Sequence, residues 1–195
     1  MNDIHKDNSV IYSVGHSNHS IETFMSLLDV HKIEALVDVR SHPYSKHAPY
    51  FGLSSLSQEL KVRGINYLYF GRELGGRPDK EELYDDNGYV LYSDWARSPL
   101  FLEGIERLEH GVVTYRIAMM CSEESPSQCD RHLLIAPVLA HRGIQVAHIR
   151  GDGTIQYEAD LRRDEHQPSL FVSSEGVVWK SLRSVSRRRL QRNSS

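Results

Sequence analysis

Residues 113–131 read VTYRIAMMCSEESPSQCDR, and no other stretch restricts the fold as much. Ile117, Ala118, Met119 and Met120 form a short apolar run that stops at Cys121, the pattern of a buried strand. An acidic loop follows, Ser122-Glu123-Glu124. Then Ser125-Pro126-Ser127-Gln128 carries the marks of a helix start: serine at the cap, proline at the first helical position, glutamine three residues after the cap. Strand, tight loop and helix place Cys121 and Glu123 at the strand's carboxyl edge, with Cys129 and Arg131 in the first turns of the helix. In open α/β sheets that edge is where ligands bind.

The chain upstream supplies the rest of such a sheet. Val10, Ile11, Tyr12, Ser13 and Val14 form a first strand, ended by Gly15. A polar loop, His16-Ser17-Asn18-His19, leads to Ser20, which caps a helix with Ile21, Phe24, Leu27 and Leu28 on its apolar face. Ala35 to Val39 is a second strand, delivering Arg40 at its carboxyl end. Strand, helix and strand at this spacing make a βαβ unit, so the two strands run parallel. Further on, the pattern predicts a helix over 54–63, a strand over 65–70 and a helix over 100–110. The long connection 71–89 reads as a lid or a disordered segment.

After the central strand, the helix opened at Ser125 is expected to run to about residue 141, with Pro137 kinking it or ending it early. A core strand over 144–149, a turn at 150–153, a short helix over 157–163 and an edge strand over 170–172 complete the elements. The expected fold is a single three-layer α/β/α, Rossmann-like domain with a mainly parallel sheet over 10–173. A loose segment, 1–9, precedes it, and a basic, flexible tail, 174–195, follows.

Composition narrows the setting. Two cysteines in 195 residues, with no apolar N-terminal signal, suit the reducing cytosol rather than a disulfide framework. No apolar run approaches the length of a membrane span, so a soluble, cytoplasmic protein with no membrane partner is expected. The net charge of −3 does not bear on nucleic acid. Lys180, Arg183, Arg187, Arg188, Arg189 and Arg192 crowd the C-terminus, however, which makes the tail a possible nucleic-acid contact against the commoner alternative of a solvated tail.

Several of these stretches, taken together and in order, resemble one family, the bacterial and archaeal domain of unknown function numbered 488. They are Gly15-His16-Ser17; Asp38-Val39-Arg40; Pro43, Ser45 and Pro49; Gly64-Ile65 with Tyr67; and Leu74-Gly75-Gly76. The closing signature is Cys121-Ser122-Glu123, Cys129-Asp130-Arg131, and His148-Ile149 with Gly153. The family usually carries histidine between its last cysteine and arginine, where this chain has Asp130. The resemblance implies the fold and the location of a site, and no particular reaction or cofactor.

Parallel topology brings His16-Ser17, the stretch from Asp38 and Arg40 to Ser45, and Cys121 to Arg131 to one sheet edge. Arg40 and Arg131, beside a helix N-terminus, suit a small anionic ligand such as a phosphate or carboxylate; the alternative for Arg40 is an internal pair with Asp38 or Glu123. Glu123, next to Glu124, is the candidate acid, base or nucleophile, because adjacent like charges raise one pKa. Cys121 is either a small buried residue or a thiolate favoured by the arginines. His16, Ser17, Asp38, Arg40, Ser45, Cys129 and Arg131 are the candidate substrate contacts, Glu123 and Cys121 the candidate catalytic pair. His16, His19, His42 and His47 lack the ligand spacing of a zinc site, so no metal is expected. The leading expectation is a hydrolase or transferase acting on a nucleotide-like or other anionic substrate. The alternatives are a non-catalytic nucleotide or modified-base sensor, and thiol redox chemistry through Cys121 and Cys129.

Overall fold

The apolar run Ile117–Cys121 is a strand paired on both sides, with each of its first four residues buried. The computed structural model describes residues 10–44, 48–164 and 179–183. In chain order the elements are β1 (Val10–Gly15), α1 (Ile21–Val30), β2 (Ala35–Asp38), α2 (Leu53–Val62), β3 (Asn66–Tyr69), α3 (Gly71–Leu74), α4 (Tyr92–Trp95), α5 (Pro99–Thr114), β4 (Ile117–Cys121), α6 (Ala136–His141), β5 (Gln145–Ile149), β6 (Ile155–Tyr157) and α7 (Glu158–Asp164). The six strands form one sheet in the order β3-β2-β4-β1-β5-β6. All pairings are parallel except β5 with β6.

Side chains leave β4 alternately to the two faces. Ile117 and Met119 join Phe101, Ile105 and Leu108 of α5 and Leu139 of α6 in one apolar cluster. Ala118 and Met120 join Phe24 and Leu28 of α1 with Leu56 and Leu60 of α2 in the other. Helices therefore cover both faces, giving the three layers. Each fully buried side chain of this size stabilises the fold by about 1.5–3 kcal/mol. Ser20 caps α1 through Thr23 N at 3.2 Å, and Ser98 caps α5, with Pro99 opening the helix.

Adjacent strands β1 and β4 end in register, Gly15 opposite Cys121. The chain leaving β1 turns to the α1 face, whereas the chain leaving β4 turns to the α6 face. Neighbouring strands whose exits diverge leave a crevice between them, the usual ligand position in such sheets. The loop after β4 passes directly over the end of β1: a Cβ on Gly15 would lie 1.9 Å from the Glu123 carbonyl oxygen. Only glycine permits that crossing.

Several expectations are corrected. Ser125-Pro126 does not open the long helix; it opens a three-residue 3-10 turn, Pro126–Gln128, with no side-chain cap bond. The helical run begins after Cys129, as a π turn over Arg131–Ile135 that continues into α6. Pro137 does not end the helix early: it stands in the first turn of α6, where an absent N–H is tolerated, and the helix runs on to His141. The connection 71–89 is ordered and packed on the domain: Leu74 and Leu83 are buried and Trp95 Nε1 donates to the Gly75 carbonyl at 3.0 Å. Strand β6 was not anticipated. Part of the expected tail is fixed to the domain: Lys180 bridges Leu91, and Ser181 exchanges two 3.0 Å hydrogen bonds with Val90. The strand expected at 170–172, like Ser45 and His47, lies outside the described residues. Among the described residues no helix is long and apolar enough to cross a membrane.

Candidate functional site: a buried thiol pair at the crevice

The β2 end of the crevice is an internal ion pair. Arg40 folds back onto wholly buried Asp38, its Nε donating to Oδ1 at 2.9 Å and Nη2 to Oδ2 at 2.6 Å. Nη2 also donates to the Phe51 carbonyl at 2.8 Å, and the Tyr67 hydroxyl donates to Asp38 Oδ2 at 2.7 Å. His16 donates Nδ1–H to the Ser17 carbonyl, which leaves Nε2 to accept from Arg40 Nη1 at 3.1 Å. The ring stacks on Phe51, centroids 4.4 Å apart. Burial, and then the Arg40 charge, hold the His16 pKa down to about 4, so the ring is neutral at physiological pH. Ser17 adopts a left-handed backbone, φ 46°, that lets its N–H reach the Ser122 carbonyl at 2.9 Å. Arg40 and Asp38 thus neutralise one another, and His16 locks them to the loop after β1.

The β4 end is different in kind. Arg131 has no exposed surface, and among the described residues no carboxylate lies in salt-bridge range of it. Its Nε donates to Cys129 Sγ at 3.3 Å, Nη1 to Ser13 Oγ at 3.1 Å, and Nη2 to the Glu123 carbonyl at 2.5 Å. The Cys121 and Cys129 thiols lie close enough to perturb one another, and both are free, with no disulfide between them. Cys129 is the last extended residue before the helical run, its carbonyl accepting from His132 N at 3.0 Å and Leu133 N at 2.9 Å. The positive end of the helical run therefore falls on Cys129, a few residues beyond the position suggested by the serine. Burial pushes the Cys129 thiol up, but the neighbouring Cys121 thiol and the Arg131 charge outweigh it and bring the pKa to about 7. Cys121 is pushed up by Cys129 and by burial.

Asp130 stands beside the pair. Its carboxylate accepts from the Tyr92 hydroxyl, and burial raises its pKa. A Cβ on Gly76 would lie 2.0 Å from Asp130 Oδ2, so the Gly75-Gly76 turn is the floor on which this carboxylate rests. Cys121 is half-buried as a residue, whereas Cys129 is 3% exposed.

The two glutamates part company. Glu123 turns its carboxylate outward to Arg183 at 3.1 Å, its side chain 41% exposed. Glu124 is held by Arg150 through bonds of 2.9 and 2.8 Å and by Gly151 N at 3.0 Å. Those bonds lower the Glu124 pKa. An open cavity of about 410 Å³ lies there, lined by Glu124, Arg150, Gly151, Asp152, Thr154 and Gln156.

Sequence reasoning missed the polar chain behind Arg131. Ser13 Oγ meets His148 Nδ1 at 2.6 Å, His148 Nε2 meets Glu158 Oε2 at 2.8 Å, and His132 Nδ1 meets the same oxygen at 2.9 Å. Arg162 Nε donates to Glu158 Oε1 at 2.5 Å. Ser13 and His148 are polar residues inside otherwise apolar strands, opposite one another in register, and that was the available signal. The ligand atoms of His132, His148 and Glu158 lie within 4.8 Å of one another.

A family model described as "Domain of unknown function DUF488" matches residues 20–137. Searches among curated proteins and among solved structures return no match. The matched span runs from the cap of α1 into the first turn of α6 and contains Asp38, Arg40, Cys121, Glu123, Cys129 and Arg131. The chain belongs to the DUF488 family.

Proposed function

We propose that the protein is a dithiol oxidoreductase in which Cys121 meets the substrate and Cys129 completes the electron transfer. Arg131 carries this reading. A guanidinium removed from water requires a compensating anion, and the acidic group it touches is Cys129 Sγ. A thiolate at that position completes the charge balance, as Asp38 does for Arg40.

The chemistry follows from the two exposures. Cys121, giving its proton to Cys129, attacks one sulfur of a substrate disulfide; a Cys121–substrate bond forms and the substrate's other sulfur leaves as a thiolate. Cys129, its proton passed to that leaving thiolate, then attacks Cys121 Sγ. A Cys121–Cys129 disulfide forms and the second substrate sulfur departs as a thiolate. The substrate gains two electrons, the protein loses two, and a dithiol reductant restores the starting state. Exposed Arg77 and Arg183, whose charges both reach Asp130, favour a small anionic disulfide. Hydrolysis or group transfer at Glu123 has less support, since that carboxylate faces Arg183 at the surface.

Glutathione disulfide, small and anionic, is the test probe. The folded protein should lose two hydrogens, mapped by non-reducing mass spectrometry to a Cys121–Cys129 link. Cys129→Ser should stop at a mixed disulfide on Cys121, and Cys121→Ser should remain unmodified. Absence of reaction at both cysteines of the native protein would leave a binding module and refute the oxidoreductase.

A further inference from the structure

Two of the partners of Arg131 differ in what they require. Its Nε must meet Cys129, and its Nη1 must find an acceptor at Ser13 Oγ. A hydroxyl accepts along that line when its own hydrogen points elsewhere. The structure supplies the direction: Ser13 Oγ lies 2.6 Å from His148 Nδ1, and the opposite ring nitrogen lies 2.8 Å from Glu158 Oε2. A carboxylate accepts only, so His148 carries its proton on Nε2, and Nδ1 is left as an acceptor for the Ser13 hydrogen. Ser13 then turns its lone pairs to Arg131.

We propose that Ser13, His148 and Glu158 are positioning residues of the dithiol, a buried chain whose hydrogen-bond polarity, set at Glu158, aims Arg131 at Cys129. The inference rests on the dithiol reading above. The chain is sheltered from water, with Ser13 and His148 unexposed and Glu158 4% exposed. His132 and Arg162 complete the acceptor sites of Glu158 and keep it ionised. Burial disfavours the Glu158 carboxylate, but the bonds from His132 and His148 overcome it and hold the pKa near 2. The polarity is therefore constant across physiological pH.

The same side chains resemble a two-histidine, one-carboxylate metal cage. The charges argue for protons instead. Both histidines already donate to Glu158, and a divalent ion would join the Arg131 and Arg162 guanidinium groups in a closed interior.

The groups acting on Cys129 are Cys121 from β4, Asp130 and Arg131 from its own segment, and Arg131 is in turn held from β1 by Ser13. Ultraviolet absorbance of the thiolate, followed against pH in the full chain, reads their sum. Wild type should titrate near pH 7. Glu158→Gln can present an amide N–H to His148, reversing the polarity, and Ser13→Ala removes the acceptor. Each should raise the midpoint by about one unit, a tenfold change in the ionisation equilibrium. A merely structural role would lower the unfolding midpoint and leave the titration in place. If wild type titrates near neutrality and both folded variants match it, the positioning role is overturned and the dithiol stands. If wild type shows no thiolate until the ordinary range near pH 8.5, the dithiol reading fails as well. One equivalent of bound metal by elemental analysis, lost in Glu158→Gln, would make the cluster a metal cage and overturn the relay.

Discussion

Two buried guanidinium groups face the same difficulty and meet it differently. Arg40 has a carboxylate, Asp38, gripped through both oxygens. Arg131 has carbonyls, a hydroxyl and a thiol. Removing one partner of the first pair strands the other as a buried charge, so Asp38→Ala should cost about 3–5 kcal/mol, roughly a 10 °C fall in unfolding temperature by calorimetry. Unchanged unfolding would deny the pairing. His16 makes a separate prediction about acid. Its pKa is about 4 in the folded protein and 6.5 ordinarily. Above pH 6.5 the ring is neutral in both states and its contribution is complete. As pH falls, the unfolded chain takes the proton first, so stability is lost from about 6.5 down to about 4, by about 3 kcal/mol in all. Urea unfolding at either end of that window should show wild type losing more stability than His16→Gln; equal losses would remove His16 from the acid response. At this scale the sequence exposed the cast and offered Asp38 as one partner for Arg40, but hid the other pairings. His16, Arg40, Cys121, Cys129 and Arg131 were found because strand ends deliver them to one edge. Which acid each base takes depends on where side chains turn after the strand ends, and no spacing encodes that. Ser13 was a single polar letter in an apolar strand, which a strand reading absorbs without comment, and His148 stood out only as part of the family signature, with nothing to join it to Ser13.

The helix after β4 shows the corresponding limit for elements. Ser125-Pro126 satisfies the local rules for a cap, yet those rules are met equally by a single 3-10 turn. Cys129 stays extended and the helix begins after it, with Arg131 buried against Ser13 and Cys129 and His132 against Glu158. Pro137 contributes further along. Lacking an N–H, it cannot donate to the Leu133 carbonyl four residues earlier, and Trp179 Nε1 takes that oxygen at 2.9 Å. A proline vacancy in one element thus anchors a segment more than forty residues away. Trp179→Phe keeps most of the packing but leaves that carbonyl without the indole donor, at a cost of about 1–3 kcal/mol. Limited proteolysis should then cut near residues 179–183 sooner than in wild type; an unchanged digestion pattern would mean the indole bond does not secure the segment. Long-range substitutions of this kind, like the antiparallel β6, leave no periodic trace in the sequence.

For the whole molecule, the reading from sequence was more complete, because topology follows from few rules. The βαβ spacing between β1 and β2 and the buried run of β4 imply a parallel sheet, and a parallel sheet puts every strand exit on one rim. The six-stranded sheet and its two apolar layers agree. What topology could not supply was the character of the rim: the expected cradle for an anion is, at its centre, a cation with a sulfur in place of a carboxylate. Every chemical step proposed for this protein depends on that sulfur being ionised near neutrality. The most direct measurement is the rate at which a small uncharged haloacetamide alkylates the folded protein across pH 5 to 10 (roughly the span in which thiols titrate), with both cysteines resolved by mass spectrometry and Arg131→Met compared with wild type. The expected result is a dithiol that reacts at Cys121, its proton passed to Cys129, with an apparent midpoint near 7 that moves upward when Arg131 is replaced. A midpoint at or above about 8.5 in wild type, unmoved by Arg131→Met, would contradict it.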